Sequence, residues 1–191
     1  SVAFLIIAAI NPLLSSIADY TGNKKKFMYF FSTLGACSCS ALFFFTSIDT
    51  LWVGVFGVVL AAIGYAGSIV FYNAFLPEIA EPQDQDKVSA KGFAMGYIGS
   101  SLLLIFSLTM ILFPQWYGGI ESGTATRIAF LLVGLWWFGF AQYTFHYLPN
   151  NVYERKPEGK FVRNGYRELK KVWNELRNTS RIKTFLLSFF F

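Results

Sequence analysis

The chain has 191 residues and a formal net charge of +5, with 54% hydrophobic, 19% aromatic and only 14% charged residues. The few charges gather between long apolar runs, which excludes most soluble enzymes and nucleic-acid binders and leaves integral membrane proteins.

Ser1–Ala18 is apolar, apart from the interruption at Asn11-Pro12, and is predicted to form most of one spanning helix. Four further stretches contain no Asp, Glu, Lys or Arg: Phe27–Ile48, Leu51–Leu76, Gly92–Phe113 and Ile128–Leu148. At about 1.5 Å rise per residue, each can cross a hydrocarbon core about 30 Å thick. A last apolar run, 182–191, is predicted to open another span. The expected architecture is therefore an all-α, polytopic membrane helix bundle. The apolar runs at both chain ends read as cut spans.

The connections alternate in charge. Of the 16 Lys and Arg residues, only Arg127 falls in the set of loops opposite Lys24–Lys26, Lys87, Lys91 and the segment from Arg155 to Lys183. The positive-inside rule places the basic loops in the cytoplasm. Alternation across several helices argues against a nucleic-acid site. Trp116 and Tyr117, in the outer loop Pro114–Arg127, are placed to sit at the interface. In the connection Pro149–Arg181, Val162, Tyr166, Leu169, Val172, Trp173 and Leu176 recur at mostly helical spacing among Arg163, Arg167, Lys170, Lys171 and Arg177. This basic amphipathic helix is expected to lie on an anionic inner leaflet. The alternatives are packing against the cytoplasmic ends of other spans, or a calmodulin-like partner.

Small residues mark two helix faces. Gly54, Gly57, Ala61, Gly64 and Ser68 follow steps of three and four and share one face. Gly92-x-x-x-Gly96 opens the next span. Such faces let helices approach closely in lipid, where van der Waals packing drives association. The polar groups within spans are uncharged. Asn11, Tyr65, Tyr72, Asn73, Tyr97 and Ser101 are candidate cavity-lining residues, with helix-to-helix hydrogen bonds as the alternative role.

Catalytic groups are lacking. The one histidine, His146, lies a helical turn from Gln142 and reads as an interfacial anchor; no intramembrane carboxylate pair or nucleophile–base pair is present in sequence. The chain is not expected to be an enzyme or to hold a cofactor or metal. Cys37 and Cys39, two apart on a helix, point to different faces and read as packing residues.

The segment Ile17-Ala18-Asp19-Tyr20-Thr21-Gly22-Asn23-Lys24-Lys25 places a carboxylate, a turn glycine and a lysine run at a membrane boundary. It resembles the signature loop between helices two and three of the major facilitator superfamily, Gly-x-Leu-Ala-Asp-Arg-x-Gly-Arg-Lys. Ala18, Asp19, Gly22 and Lys24 match; Ser15, Ile17, Tyr20 and Asn23 depart. Two further segments, Phe71-Tyr72-Asn73-Ala74-Phe75-Leu76-Pro77-Glu78-Ile79 and Asp86–Gly99, are similar to the vacuolar effluxer-like branch, related to autophagy-associated vacuolar amino-acid effluxers.

The resemblance implies part of a twelve-helix secondary transporter working by alternating access. Residues 1–149 would be helices two to six of the N-terminal half, with the first helix missing; 150–181 the cytoplasmic linker; and 182–191 the start of helix seven. Asp19, Gly22, Lys24 and Lys25, with Glu78 and Lys91 at inner helix ends, would form a cytoplasmic gate. The solute would be small, with amino-acid efflux the leading possibility. The membrane would be the plasma (inner) membrane of a bacterium, or the vacuolar membrane of a eukaryote. Many proton-coupled members carry an arginine in helix four; Leu51–Leu76 has none, so proton coupling would reside elsewhere. The rival function is a non-transporting scaffold or sensor acting through the basic linker. Nothing in the sequence specifies an oligomeric state.

Overall fold

The computed structural model describes residues 23–150 and, beyond them, the helical positions Lys170 and Asn174. The first apolar segment with Asn11, the loop residues Asp19 and Gly22, the amphipathic face of the linker and the run 182–191 lie outside the described residues.

Helix α1 spans Lys24–Ala41, α2 Leu51–Ala74, α4 Gln85–Leu112 and α5 Ser122–Tyr147; the one-turn α3, Leu76–Ile79, follows α2. Among the described residues there is no strand, and four helical segments are long and apolar enough to cross a membrane. The protein is an all-α, polytopic membrane helix bundle.

The helix ends depart from the apolar runs in both directions. α4 starts at Gln85 rather than Gly92, carrying Lys87 and Lys91 on its first turns. Backbone hydrogen bonding needs no apolar side chains, and a long lysine stem can lie along the helix while its ammonium stays in the headgroup layer. Asp86 sits in that first turn, where a negative charge suits the helix dipole. In the same way α5 starts at Ser122 rather than Ile128. The run Phe27–Ile48 is shorter as a helix than as a sequence. α1 ends at Ala41, a 3-10 turn covers Leu42–Phe44, and Phe45 is extended. The cause is a competing local motif. Thr50 Oγ1 accepts from the backbone N–H groups of Thr46 and Ser47 at 2.9 and 3.0 Å, within a capping box that starts the next turn.

α1 is the organising element, packed against both α2 and α5. A Cβ built on Gly64 of α2 would collide with the backbone of Gly35 in α1 and lie 2.7 Å from the Phe31 carbonyl oxygen. A Cβ on Gly57 would lie 2.6 Å from Leu42, and one on Gly67 would strike the Phe31 ring. On the other side, a Cβ on Gly134 of α5 would meet Ser40 and lie 2.7 Å from the Ala36 carbonyl oxygen. The backbones therefore meet closely at positions where only glycine fits. At one end of the bundle, a core of Met28, Phe31, Phe71, Phe75 and Phe145 joins the three helices. Phe71 stacks between Phe27 and Phe31, at centroid distances of 5.4 and 5.9 Å.

α4 is held differently. Only Ser107 and Met110 of this helix are buried. Met110 packs with Ala125 and Ala129 of α5 at the end away from Lys24. There Tyr117 shares a hydrogen bond with Thr109 at 2.9 Å, and Gly118 and Gly119 make the turn with φ of 81° and 77°, which glycine adopts without strain. Trp116 stacks on Phe113 at 4.8 Å.

Candidate functional site

Because α4 joins the bundle at one end, a space opens between it and the other helices toward the end that carries Lys24. The result is a cavity of about 670 Å³, within the usual range for small-molecule sites. Its wall comes from four helices: Met28 and Ser32 of α1, Tyr65, Ser68 and Tyr72 of α2, Gly92, Gly96, Gly99 and Ser100 of α4, and Trp136, Trp137, Phe140 and Thr144 of α5. Among the described residues no Asp, Glu, Lys or Arg contributes to it.

The sequence candidates divide along this cavity. Tyr65 and Tyr72, seven residues apart and so nearly in line along α2, both face it. Asn73, Tyr97 and Ser101 do not line it and are exposed on other faces. The difference is one of helical phase: a single residue turns a side chain by about 100°, so Tyr72 rather than Asn73, and Ser100 rather than Ser101, meet this space. Gly92 and Gly96 line the cavity, and among the described residues no helix packs tightly against them. A Cβ on Gly96 would meet nothing within 4 Å, and one on Gly92 would meet only the Tyr72 hydroxyl. On α2, Gly57, Gly64 and Ser68 are buried, while Gly54 and Ala61 are half-buried. Gly54 approaches the Phe45 ring.

Sequence reasoning missed several residues that matter. Ser32, Gly35, Ala36 and Cys39 form a second small face, on α1, spaced by three and four and all buried. The spacing is present in the sequence but lies within an aromatic run that masks it. Trp136, Trp137 and Phe140 are indistinguishable in sequence from other residues of an apolar span, yet they supply aromatic wall to the cavity. Cys39 is buried, with Sγ 3.6 Å from the Phe130 carbonyl oxygen, and Cys37 is exposed. Gln142 and His146 do not form a bonded pair among the described residues: Nε2 of Gln142 is buried without a partner and His146 packs edge-on against Tyr147.

Beside the cavity, the helix ends are tied by consecutive lysines. Lys24 Nζ lies 2.9 Å from Glu78 Oε1, with side chains only 14% and 11% exposed, and 3.5 Å from the Ala74 carbonyl oxygen at the end of α2. Lys25 Nζ donates to the Leu148 carbonyl at 2.7 Å and to Asn150 Oδ1 at 2.8 Å, past the end of α5. A lysine run is the wrong charge for the first turn of its own helix. These lysines reach instead to the negative ends of two antiparallel neighbours and satisfy carbonyls that have no intrahelical donor. Lys91 is exposed and makes no ion pair among the described residues.

The family model described as "Vacuole effluxer Atg22 like" matches the chain over residues 1–191. The chain belongs to the vacuole effluxer Atg22-like family. It is 34% identical, over its whole length and 44% of the relative's, to a protein of Bacillus subtilis described as "Uncharacterized MFS-type transporter YxiO". It is 25% identical to "Autophagy-related protein 22-1" of Aspergillus clavatus, over 78% of this chain and 35% of the relative. A protein of Aquifex aeolicus is 27% identical over 61% of the chain. The chain thus spans less than half the length of these relatives. No solved structure matches it at a significant level.

Proposed function

We propose that the chain is part of a secondary transporter that moves small solutes by alternating access, and that the cavity between α1, α2, α4 and α5 is its part of the solute path. One observation carries this reading: a membrane bundle of the effluxer-like family holds, between four helices, a space of about 670 Å³ whose described lining residues carry no charge. The Bacillus subtilis relative's name and the family's description as an effluxer support a transporter, and amino-acid efflux is the leading finer reading from the sequence resemblance to vacuolar amino-acid effluxers.

In this reading the end bearing Lys24 faces the cytoplasm, and the Lys24–Glu78 pair is part of the gate on that side. Asp19 and Gly22 belong to the same gate on sequence grounds. Lys25 would hold α5 and the start of the linker to the α1 end. A solute entering from the cytoplasm would find the apolar rings and hydroxyls of the cavity behind these charges.

The test is flux of radiolabelled amino acids into inverted vesicles that hold the full-length protein, with matched empty vesicles as control. Transport above control that falls with Glu78→Gln at equal protein level is expected. In a Cys-free background, a cysteine at Gly119 should react with an impermeant thiol reagent in intact cells, and one at Asp86 should resist it. Reversed labelling overturns the orientation, and absence of flux for every amino acid overturns the amino-acid reading.

A further inference from the structure

The cavity wall has a chemical bias that its lack of formal charge conceals. Ser68 donates its hydroxyl proton to the Tyr65 carbonyl at 2.8 Å, Ser100 to the Tyr97 carbonyl at 3.1 Å, and Thr144 to the Phe140 carbonyl at 3.1 Å. A hydroxyl has one proton, so these three have committed their donors and keep only lone pairs for an incoming group. All three line the same cavity.

Beside them stand aromatic rings. Tyr65 meets Trp137 edge-on at a centroid distance of 6.4 Å, and Trp136 lies 4.8 Å from Phe140; these four line the cavity with Tyr72. Aromatic faces carry partial negative charge and attract cations, indole most strongly. An ammonium group in this space meets ring faces and hydroxyl acceptors. Among the described residues a carboxylate meets neither a lysine nor an arginine, and only the Ser32 and tyrosine hydroxyls and the indole N–H groups remain to donate to it. Away from water, an anion held so weakly is costly.

Resting on the reading of this cavity as a solute site, we propose that its wall is an ammonium-binding subsite. It takes the alkylammonium group of an amine-bearing solute against the rings of Trp136 and Tyr72 and the oxygens of Ser68, Ser100 and Thr144. Any carboxylate on the same solute is held by groups outside this wall.

The experiment uses the purified full-length protein and two probes of matched shape, 2-phenylethylammonium and 3-phenylpropionate, with binding measured by titration calorimetry. The ammonium probe should bind at least about tenfold more tightly than the carboxylate. Trp136→Leu should weaken ammonium binding roughly tenfold, and Trp136→Phe, which keeps a ring face, should restore most of it. Tyr72→Leu, at a side chain already 46% exposed, provides a second variant should Trp136→Leu not fold. Equal or tighter binding of the carboxylate, binding of neither probe, or ammonium binding unchanged in a folded Trp136→Leu or Tyr72→Leu protein overturns the proposal. The transport reading fails separately: a protein with the expected binding pattern and no flux of any amine-bearing solute keeps the subsite and loses the transporter.

Discussion

α2 and α4 enter the fold with the same sequence signal and meet different fates. Both carry glycines at helical spacing inside an apolar span. On α2 the stripe is consumed by α1, backbone against backbone at Gly64 and Gly35. On α4 Gly96 faces open space, and the helix is fastened through Met110 and Ser107 near its far end. A small-residue stripe therefore specifies a smooth face and not its partner. Where the partner is present the stripe builds a rigid pair; where it is not, the same smoothness widens a cavity.

The largest effect should come from breaking the rigid side. Gly64→Leu places a branched side chain into the Gly35 backbone, which cannot move without separating α1 from α2. A loss of about 3 kcal/mol or more is expected, seen as loss of folded full-length protein in a thermal melt monitored by size exclusion. Gly96→Leu should leave the same melt nearly unchanged, within about 0.5 kcal/mol, while reducing solute binding by filling the cavity. Equal destabilisation by the two variants would show that α4 is covered as tightly as α2 in the full-length protein, and the contrast would be lost.

The ion pair offers an intermediate effect. Glu78→Gln keeps the size of the side chain and removes its charge beside Lys24. In the proposed gate it should shift the balance of the two facing states by roughly 1–3 kcal/mol without preventing insertion. Thiol labelling of a cysteine at Ser100, in a Cys-free background, would read that shift; an unchanged labelling rate would reduce the pair to a fastening between helix ends. The smallest effect is expected at Lys25. Lys25→Met removes the donor to the Leu148 carbonyl and should cost about 1 kcal/mol. Faster hydrogen exchange confined to the end of α5 would show this, and unchanged exchange would mean that Leu148 finds another donor, such as water.

What could be read from the sequence, and what could not, follows from the range of the forces involved. The spans were legible because burial in lipid is a sum over many residues, and one polar cap moves a boundary without abolishing a helix. The α2 stripe could be read because its spacing follows from helix geometry alone. The cavity could not. Tyr72 and Asn73 are equally polar and adjacent, and only the angle at which α2 presents itself to α4 and α5 selects the tyrosine. Trp136 and Trp137 look like ordinary span residues until α4 is seen to stand off from them.

The sequence by itself determined an all-helical membrane chain, its basic and non-basic ends and its family, since each rests on composition and local order. The partner of each face was decided only by the tertiary structure. Lys24 and Lys25 show the reason most plainly. In sequence they oppose the dipole of their own helix. In the fold they lie against the ends of two antiparallel helices, Lys24 with Glu78, 54 residues away, and Lys25 with Leu148, 123 residues away. No local pattern encodes that arrangement, because it exists only once the helices have packed.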